Sequence, residues 1–488
     1  MRILFVTSEA YPLVKTGGLG DVSGSLPAAL RELGEDVRIL IPGYPAVLEK
    51  IRDGKPVATV HELPLVGSAT LILGEMPETG VPIMALDCPA LYQRAGGPYL
   101  DTSGRDWEDN PIRFGVFSRV AALMSCGHSP LGDWIPDVVH CNDWQSGLTS
   151  AYLHYMRASG AQDCADSVMS IHNLIFQGCF PAEWVSRLWL PPESFQMHGL
   201  EYYGQLSFLK AGIYYADTIT TVSPTYAQEI QTPEFGFGLE GLLAGRKQDV
   251  HGILNGIDTS EWNPAQDPHL IRNYDATDLE GKQPVKQALQ ATLGLKQQDV
   301  PLLGVVSRLT QQKGLDMLLA VAEPLLEQGC QLALLGSGDP GLEEGFRQLA
   351  MRHPERVGVS IGYNEALSHQ IMAGADIFIM PSRFEPCGLN QMYGLRYGTP
   401  PVVTHTGGLA DSVQDTTQTS LVDGSATGFV MAEANQNDLL STTLRALHYY
   451  GQAKNWHKIQ QNGMRKDLSW GKSARAYRDI YQSLSRRS

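Results

Sequence analysis

The chain has 488 residues, 43% of them hydrophobic and 18% charged, and its 52 acidic residues against 37 basic ones give a formal net charge of −15. That length allows two large domains or about three smaller ones, and the negative field opposes binding to nucleic acid or anionic lipid. No stretch approaches the roughly 20 apolar residues of a membrane span.

Glu9 interrupts the one leader-like apolar run after Arg2, and the seven scattered cysteines contain no CxxC pair. These features predict a cytoplasmic protein with neither a disulfide framework nor a zinc site.

The first predicted strand, Ile3 to Ser8, leads into Lys15-Thr16-Gly17-Gly18-Leu19-Gly20-Asp21 and then a helix-like stretch from Val22 to Leu33. A P-loop places its Lys after the last Gly, and a dinucleotide fingerprint reads GxGxxG, so this loop is neither. Two readings stand on the residues alone. One is a cradle in which small residues, free helix N–H groups and Lys15 meet an anion. The other is a tight strand-to-helix turn carrying a solvated lysine.

Near-continuous apolar strands are predicted next at Val37 to Pro42, Pro82 to Asp87, Asp137 to Asp143, Ser167 to Asn173, Thr218 to Pro224 and Val250 to Leu254. The fourth strand of the chain carries His140 and Asp143 at its end, and the fifth closes on His172 and Asn173. Polar residues there are candidates for sugar hydroxyls. His140 reads as a satisfied structural histidine, whereas His172 gains from Asn173 and the following Gly178 loop. No spacing gives a metal triad.

The second half repeats the pattern at Leu302 to Ser307, Leu332 to Leu335, Val357 to Tyr363, Ile377 to Pro381, Pro401 to Thr404 and Gly428 to Met431. After the first of these, Arg308 and Lys313 stand five residues apart on a loop, placed either to converge on one diphosphate or to be solvated separately. Gly336 to Gly341 matches GxGxxG, but the next strand ends in Tyr363 where a dinucleotide site needs an acidic residue. Tyr363 instead reads as a base-stacking aromatic or as edge packing. The segment Met380 to Asn390 follows a strand and opens a helix toward Tyr397. Glu385 there is either a functional carboxylate or an ordinary acidic residue at a helix start, and the backbone from Gly388 through Leu389 to Asn390 can hold phosphate or sugar oxygens.

Strands alternating with helices predict an α/β fold of two doubly wound, Rossmann-like domains facing across a cleft, with ligands beyond the strand ends. The predicted domains are 1–250 and 251–456. Residues 457–488 read as a helical tail packing back on the first domain, with Ala476, Tyr477, Ile480, Tyr481 and Leu484 spaced along one face.

Taken in order, KTGGLGD, VVHCNDWQSGL, SIHNLIFQG, LNGID, VSRLTQQKGLD, PSRFEPCGLNQMYGLRYGTPPVV and TGGLADSV resemble the bacterial glycogen synthases and the related starch synthases, over Ile3 to about Tyr481. The resemblance implies a retaining GT-B glucosyltransferase. Such an enzyme moves glucose from ADP-glucose to the non-reducing end of an α-1,4-glucan without a metal or other cofactor.

By matching positions, the resemblance assigns Lys15, Gly17, Gly18, Arg308, Lys313, Leu389 and Asn390 to the donor diphosphate. It assigns Asp21, His172, Asn255, Cys387 and Gly388 to sugar, and Tyr363 to the base. Glu385, Asp143, His172 and Lys15 take the catalytic positions. Many relatives in the wider superfamily carry a second Glu eight residues after the first, but Tyr393 stands there in this chain. The expectation is therefore a front-face transfer without a carboxylate nucleophile. Cys141, Ile175, Phe176 and Asn390 also differ from the commonest residues of the pattern. The rival readings are a glucan phosphorylase and a non-catalytic glucan-binding protein.

Overall fold

The computed structural model describes residues 1–127 and 129–484. The chain forms two compact units, one of residues 1–256 plus the segment from Trp470 onward, the other of Ile257–Ser469. In the first, a nine-stranded sheet runs in the order Val250–Gly252, Thr218–Thr221, Asp166–Ile171, Val138–Asn142, Arg2–Val6, Asp36–Pro42, Pro82–Asp87, Gly67–Glu75, Arg52–Leu63. The first seven strands in this order pair in parallel, and the last two form an antiparallel hairpin on the edge. Ile3, Leu4, Phe5 and Val6 are fully buried, as a parallel strand covered by helices on both faces requires.

From Arg2–Val6 the chain winds outward one way through Asp36–Pro42 and Pro82–Asp87. It then returns to Val138–Asn142 and winds the other way. The strand order thus reverses between Arg2–Val6 and Val138–Asn142, where doubly wound sheets place their ligands. The loop with Lys15 follows one of these strands, and Asp143 ends the other.

In the second unit a six-stranded, all-parallel sheet runs Val357–Ile361, Gln331–Gly336, Leu302–Val306, Ile377–Met380, Pro401–Thr404, Phe429–Met431. Its reversal lies between Leu302–Val306 and Ile377–Met380. The loops after these two strands carry Arg308, Lys313 and Glu385.

Three sequence expectations change. The boundary at residue 250 falls inside the first unit, because Val250–Gly252 pairs in parallel with Thr218–Thr221 and the chain stays there through Gly256. Asn255 therefore belongs to the first unit. The tail 457–488 is also split, since the helix Ala453–Arg465 buries Trp456 and Ile459 in the core of the second unit. Only Trp470–Leu484 packs in the first, against the helix Gly18–Glu32. There Ala474, Tyr477, Tyr481 and Leu484 are buried, and the Tyr481 hydroxyl meets His140 Nδ1 at 2.7 Å.

The edge hairpin is the third change. Arg52–Leu63 contains Gly54 and Pro56 and is exposed over most of its length, so it has neither the alternation nor the apolar run that marks a strand. Pro at such a position suits an edge, where a missing ladder donor costs little.

Candidate active site

At the strand-order reversal of the second unit lies a cavity of about 180 Å³ lined by Val306, Ser307, Arg308, Lys313, Leu315, Ile379, Met380, Pro381 and Asn390. Two loops build it, and they are fastened to each other. Arg383 donates from its backbone N–H to Gln312 O at 2.8 Å and grips Asp316 with both guanidinium nitrogens at 2.7 Å. Gly314 adopts φ +71°, and a Cβ there would lie 2.1 Å from Pro381 O, so only glycine permits this approach.

The fastening sets Lys313 Nζ 2.5 Å from Glu385 Oε2, which also accepts from Ser382 Oγ at 2.9 Å. Glu385 is only 6% exposed. The predicted carboxylate and the predicted phosphate-binding lysine thus form a largely buried ion pair. Arg308 is exposed, and its guanidinium has no hydrogen-bond or ion-pair partner among the described residues.

Asn390 begins the short helix Asn390–Arg396, and its Nδ2 donates to Val306 O at 2.7 Å, laying the side chain across the end of a central strand. Leu389 precedes that helix with no side-chain cap. Cys387 is buried, and its carbonyl and that of Gly388 accept from Gln391 Nε2 at 3.0 Å each. Tyr363, two residues past the edge strand, is 86% exposed with its hydroxyl on Glu365. Edge packing is thereby excluded for this ring.

The GxGxxG match is explained by packing. A Cβ at Gly336 would lie 1.8 Å from Ser307 O, and one at Gly338 2.5 Å from Leu309 O, so these glycines let this loop lie against the one carrying Arg308. Asp339 caps the following helix by accepting from Leu342 N–H at 3.0 Å, which occupies a donor that a phosphate would need.

In the first unit the helix after Lys15 starts at Gly18, four residues earlier than expected, and Gly17 caps it without a side chain. The fold does not demand glycine at 17 or 18. Gly17 has an ordinary extended φ of −156°, and a Cβ on either residue would meet nothing within 4 Å. What the two glycines supply is open space before the helix N-terminus, the room a bulky anion needs. Lys15 Nζ lies 2.7 Å from Asp21 Oδ1, so Asp21 partners the lysine.

Asp143 sits at φ +55°, ψ −175°, a conformation that non-glycine residues adopt only when the surroundings enforce it. Its Oδ1 accepts from His172 N–H at 2.7 Å, and its N–H donates to Ser170 O at 2.9 Å. Burial pushes its carboxyl up to about 7. Burial also holds His172 down to about 4, so the imidazole is neutral at pH 7.

Asn142 Nδ2 donates to Val6 O and His140 O, which leaves its Oδ1 to accept from His172 Nε2 at 2.9 Å. That assignment puts the proton on Nε2 and leaves Nδ1 an acceptor. His140 is fully buried between Tyr481 and Ser170 at 2.7 and 2.6 Å, a structural histidine as expected. Asn255 is nearly buried, and its Oδ1 has no hydrogen-bond partner among the described residues. No group of three or more His, Cys, Asp or Glu side chains among the described residues could hold a metal ion.

Residues 2–245 match the family model "Starch synthase catalytic domain", and residues 300–448 match "Glycosyl transferases group 1". A glycogen synthase of Nitrosomonas eutropha is 54% identical over 492 residues, covering 100% of this chain and 97% of that protein. One of Nitrosomonas europaea is 54% identical over 490 residues, covering 100% and 98%. The chain belongs to the glycogen synthase family. Within the family's fold, the catalytic domain of starch synthase IV from Arabidopsis thaliana, solved with ADP and acarbose, superposes with a TM-score of 0.88 at 33% identity over 99% of each chain. Membership makes this chain a glycosyltransferase of the GT-B type, with two doubly wound units as the sequence predicted.

Two structural features around the candidate residues go beyond the sequence reading. Glu9 reads there only as an interruption of an apolar run, yet it is buried and accepts four hydrogen bonds. The Thr406-Gly407-Gly408 loop supports the backbone around Glu385, through Gly408 N–H to Glu385 O at 3.2 Å and Pro386 O at 3.1 Å. Glu9 carries no local signal, and the TGGLADSV motif does not disclose its contact with Glu385, since both roles are defined by partners distant in the chain.

Proposed function

We propose that this family member transfers glucose from ADP-glucose to the non-reducing end of an α-1,4-glucan with retention of configuration, releasing ADP. The carrying observation is the cavity at the second unit's strand-order reversal, where Arg308, Lys313 and Asn390 gather beside the buried carboxylate of Glu385. Cations and backbone donors at that point suit a departing diphosphate. The similarity to a synthase solved with ADP supports the nucleotide.

In the second unit Arg308, Lys313, Leu389 and Asn390 take the diphosphate, Tyr363 stacks on the adenine, and Cys387 and Gly388 contact sugar. In the first unit Lys15, Gly17 and Gly18 offer an anion cradle, His172 Nδ1 accepts from a sugar hydroxyl, and Asp21 and Asn255 offer further sugar contacts. Asp143 fixes the His172 backbone. Lysine and arginine neutralise the leaving charge, so no metal is required, and the free cysteines suit a reducing cytoplasm.

In the transfer, the bond from the anomeric carbon to the phosphate oxygen breaks and a bond to the acceptor hydroxyl forms on the same face. The acceptor proton goes to the departing phosphate oxygen, and Glu385 stabilises the cationic sugar. Tyr393, at the place of a second carboxylate, is buried with its ring stacked 3.7 Å from Trp262. Its role is packing, which favours the front-face route over a double displacement.

The test mixes the protein with glycogen and either ADP-glucose or UDP-glucose in EDTA and measures nucleoside diphosphate release. Faster turnover of ADP-glucose is expected. Glucose 1-phosphate formation from glycogen and inorganic phosphate, silence with both donors, or a trapped glucosyl-enzyme would each overturn a stated part of the proposal.

A further inference from the structure

Glu9 ends the first strand region only 3% exposed. Its Oε2 accepts the N–H groups of Thr16 and Gly17 at 2.5 and 3.2 Å, and its Oε1 accepts the hydroxyls of Thr16 and Tyr99 at 2.6 Å each. Ser8 Oγ lies 2.7 Å from the Tyr99 hydroxyl, whose own proton is committed to Glu9, so Ser8 donates and the chain of bonds is complete. A turn closed by the Ala10–Val14 bridge carries the backbone from Glu9 round to the loop.

A buried carboxylate satisfied by four donors holds those donors in place. It also divides the loop's N–H groups into two classes. Those of Thr16 and Gly17 are consumed. Those of Gly18 and Leu19, at the open start of the helix, have no partner among the described residues.

We propose that Glu9 is a positioning residue for glucosyl transfer. By occupying Thr16 and Gly17 from behind, it turns Gly18 and Leu19 toward the donor and sets Lys15 at the mouth of the loop. Its negative charge closes the back of the loop to phosphate, so the anion has one place to sit. This rests on the proposed use of the KTGG loop by the donor.

Geometry and charge are separable here. In Glu9→Gln the amide oxygen still accepts both N–H groups, while the amide nitrogen donates to the two hydroxyls, which accept as readily as they donate. In Glu9→Ala all four donors lose their acceptor.

The test compares wild type, Glu9→Gln and Glu9→Ala in kcat and donor KM with ADP-glucose and glycogen, and in trypsin cleavage after Lys15. Positioning predicts that Glu9→Ala loses at least 100-fold in kcat/KM at temperatures where circular dichroism shows it folded. Glu9→Gln should stay within about tenfold of wild type, and cleavage after Lys15 should accelerate only in the alanine variant.

A folded Glu9→Ala protein within threefold of wild-type kcat/KM overturns the inference, as does a Glu9→Gln protein as impaired as Glu9→Ala. A wild type inactive with every donor sinks the proposed function instead. The proteolysis pattern would then still report whether Glu9 orders the loop, and unchanged cleavage in Glu9→Ala would refute that ordering.

Discussion

Replacing Lys313 with Met asks how much the buried Lys313–Glu385 pair holds together before any substrate arrives. Removing one member of a buried pair costs about 3–5 kcal/mol when the other is left unpaired. Two features lower that figure. Ser382 Oγ still donates to Glu385 Oε2 at 2.9 Å, and the Lys313 side chain is 15% exposed, so water reaches the vacated place. The expected loss is about 2–3 kcal/mol at pH 8, which for a unit of about 200 residues lowers Tm by about 5–10 °C.

Glu385→Gln in the Lys313→Met background removes the stranded charge and recovers most of the loss. Urea denaturation of the four proteins of the cycle at pH 8 measures this. A penalty below about 0.5 kcal/mol, or additive single substitutions, would refute the reasoning.

Asp143→Asn should flatten the stability profile. With a folded pKa of about 7 against an ordinary 3.8, Asp143 withdraws up to about 4 kcal/mol between pH 4 and pH 8 as it ionises. Denaturation at the two ends checks the slope. Tyr363→Ala should raise the donor KM by about 10- to 100-fold, the worth of one base stacked on an aromatic ring, and leave Tm unchanged because the ring is exposed. Steady-state rates over a range of ADP-glucose decide it. Tyr481→Phe should cost about 1–3 kcal/mol by leaving buried His140 Nδ1 without its partner, read as a lower Tm of the first unit.

The parallel strands were legible because burial on both faces forces them into short apolar runs, and the candidate residues stood out at their ends because polar residues there interrupt the runs. The edge strand Arg52–Leu63 was not, since an edge exposed over most of its length needs no apolar pattern. Lys313 and Arg308 stood out as loop cations, but nothing local discloses that Lys313 meets a carboxylate 72 positions on. Glu9 meets its partners 7, 8 and 90 positions away. Asp143 was visible as a residue but not as strain, because φ +55° is imposed by Ser170 and His172 from the neighbouring strand.

The path of the chain has a consequence for its synthesis. The first unit contains residues 1–256 and also the helix Trp470–Leu484, with the whole second unit made between them. While ribosomes are still making residues 257–469, the face of Gly18–Glu32 that receives the helix Trp470–Leu484 lies bare, and His140 Nδ1 lacks the Tyr481 hydroxyl. The second unit is continuous in sequence and can close first, so the half of the enzyme begun earliest is the half finished last.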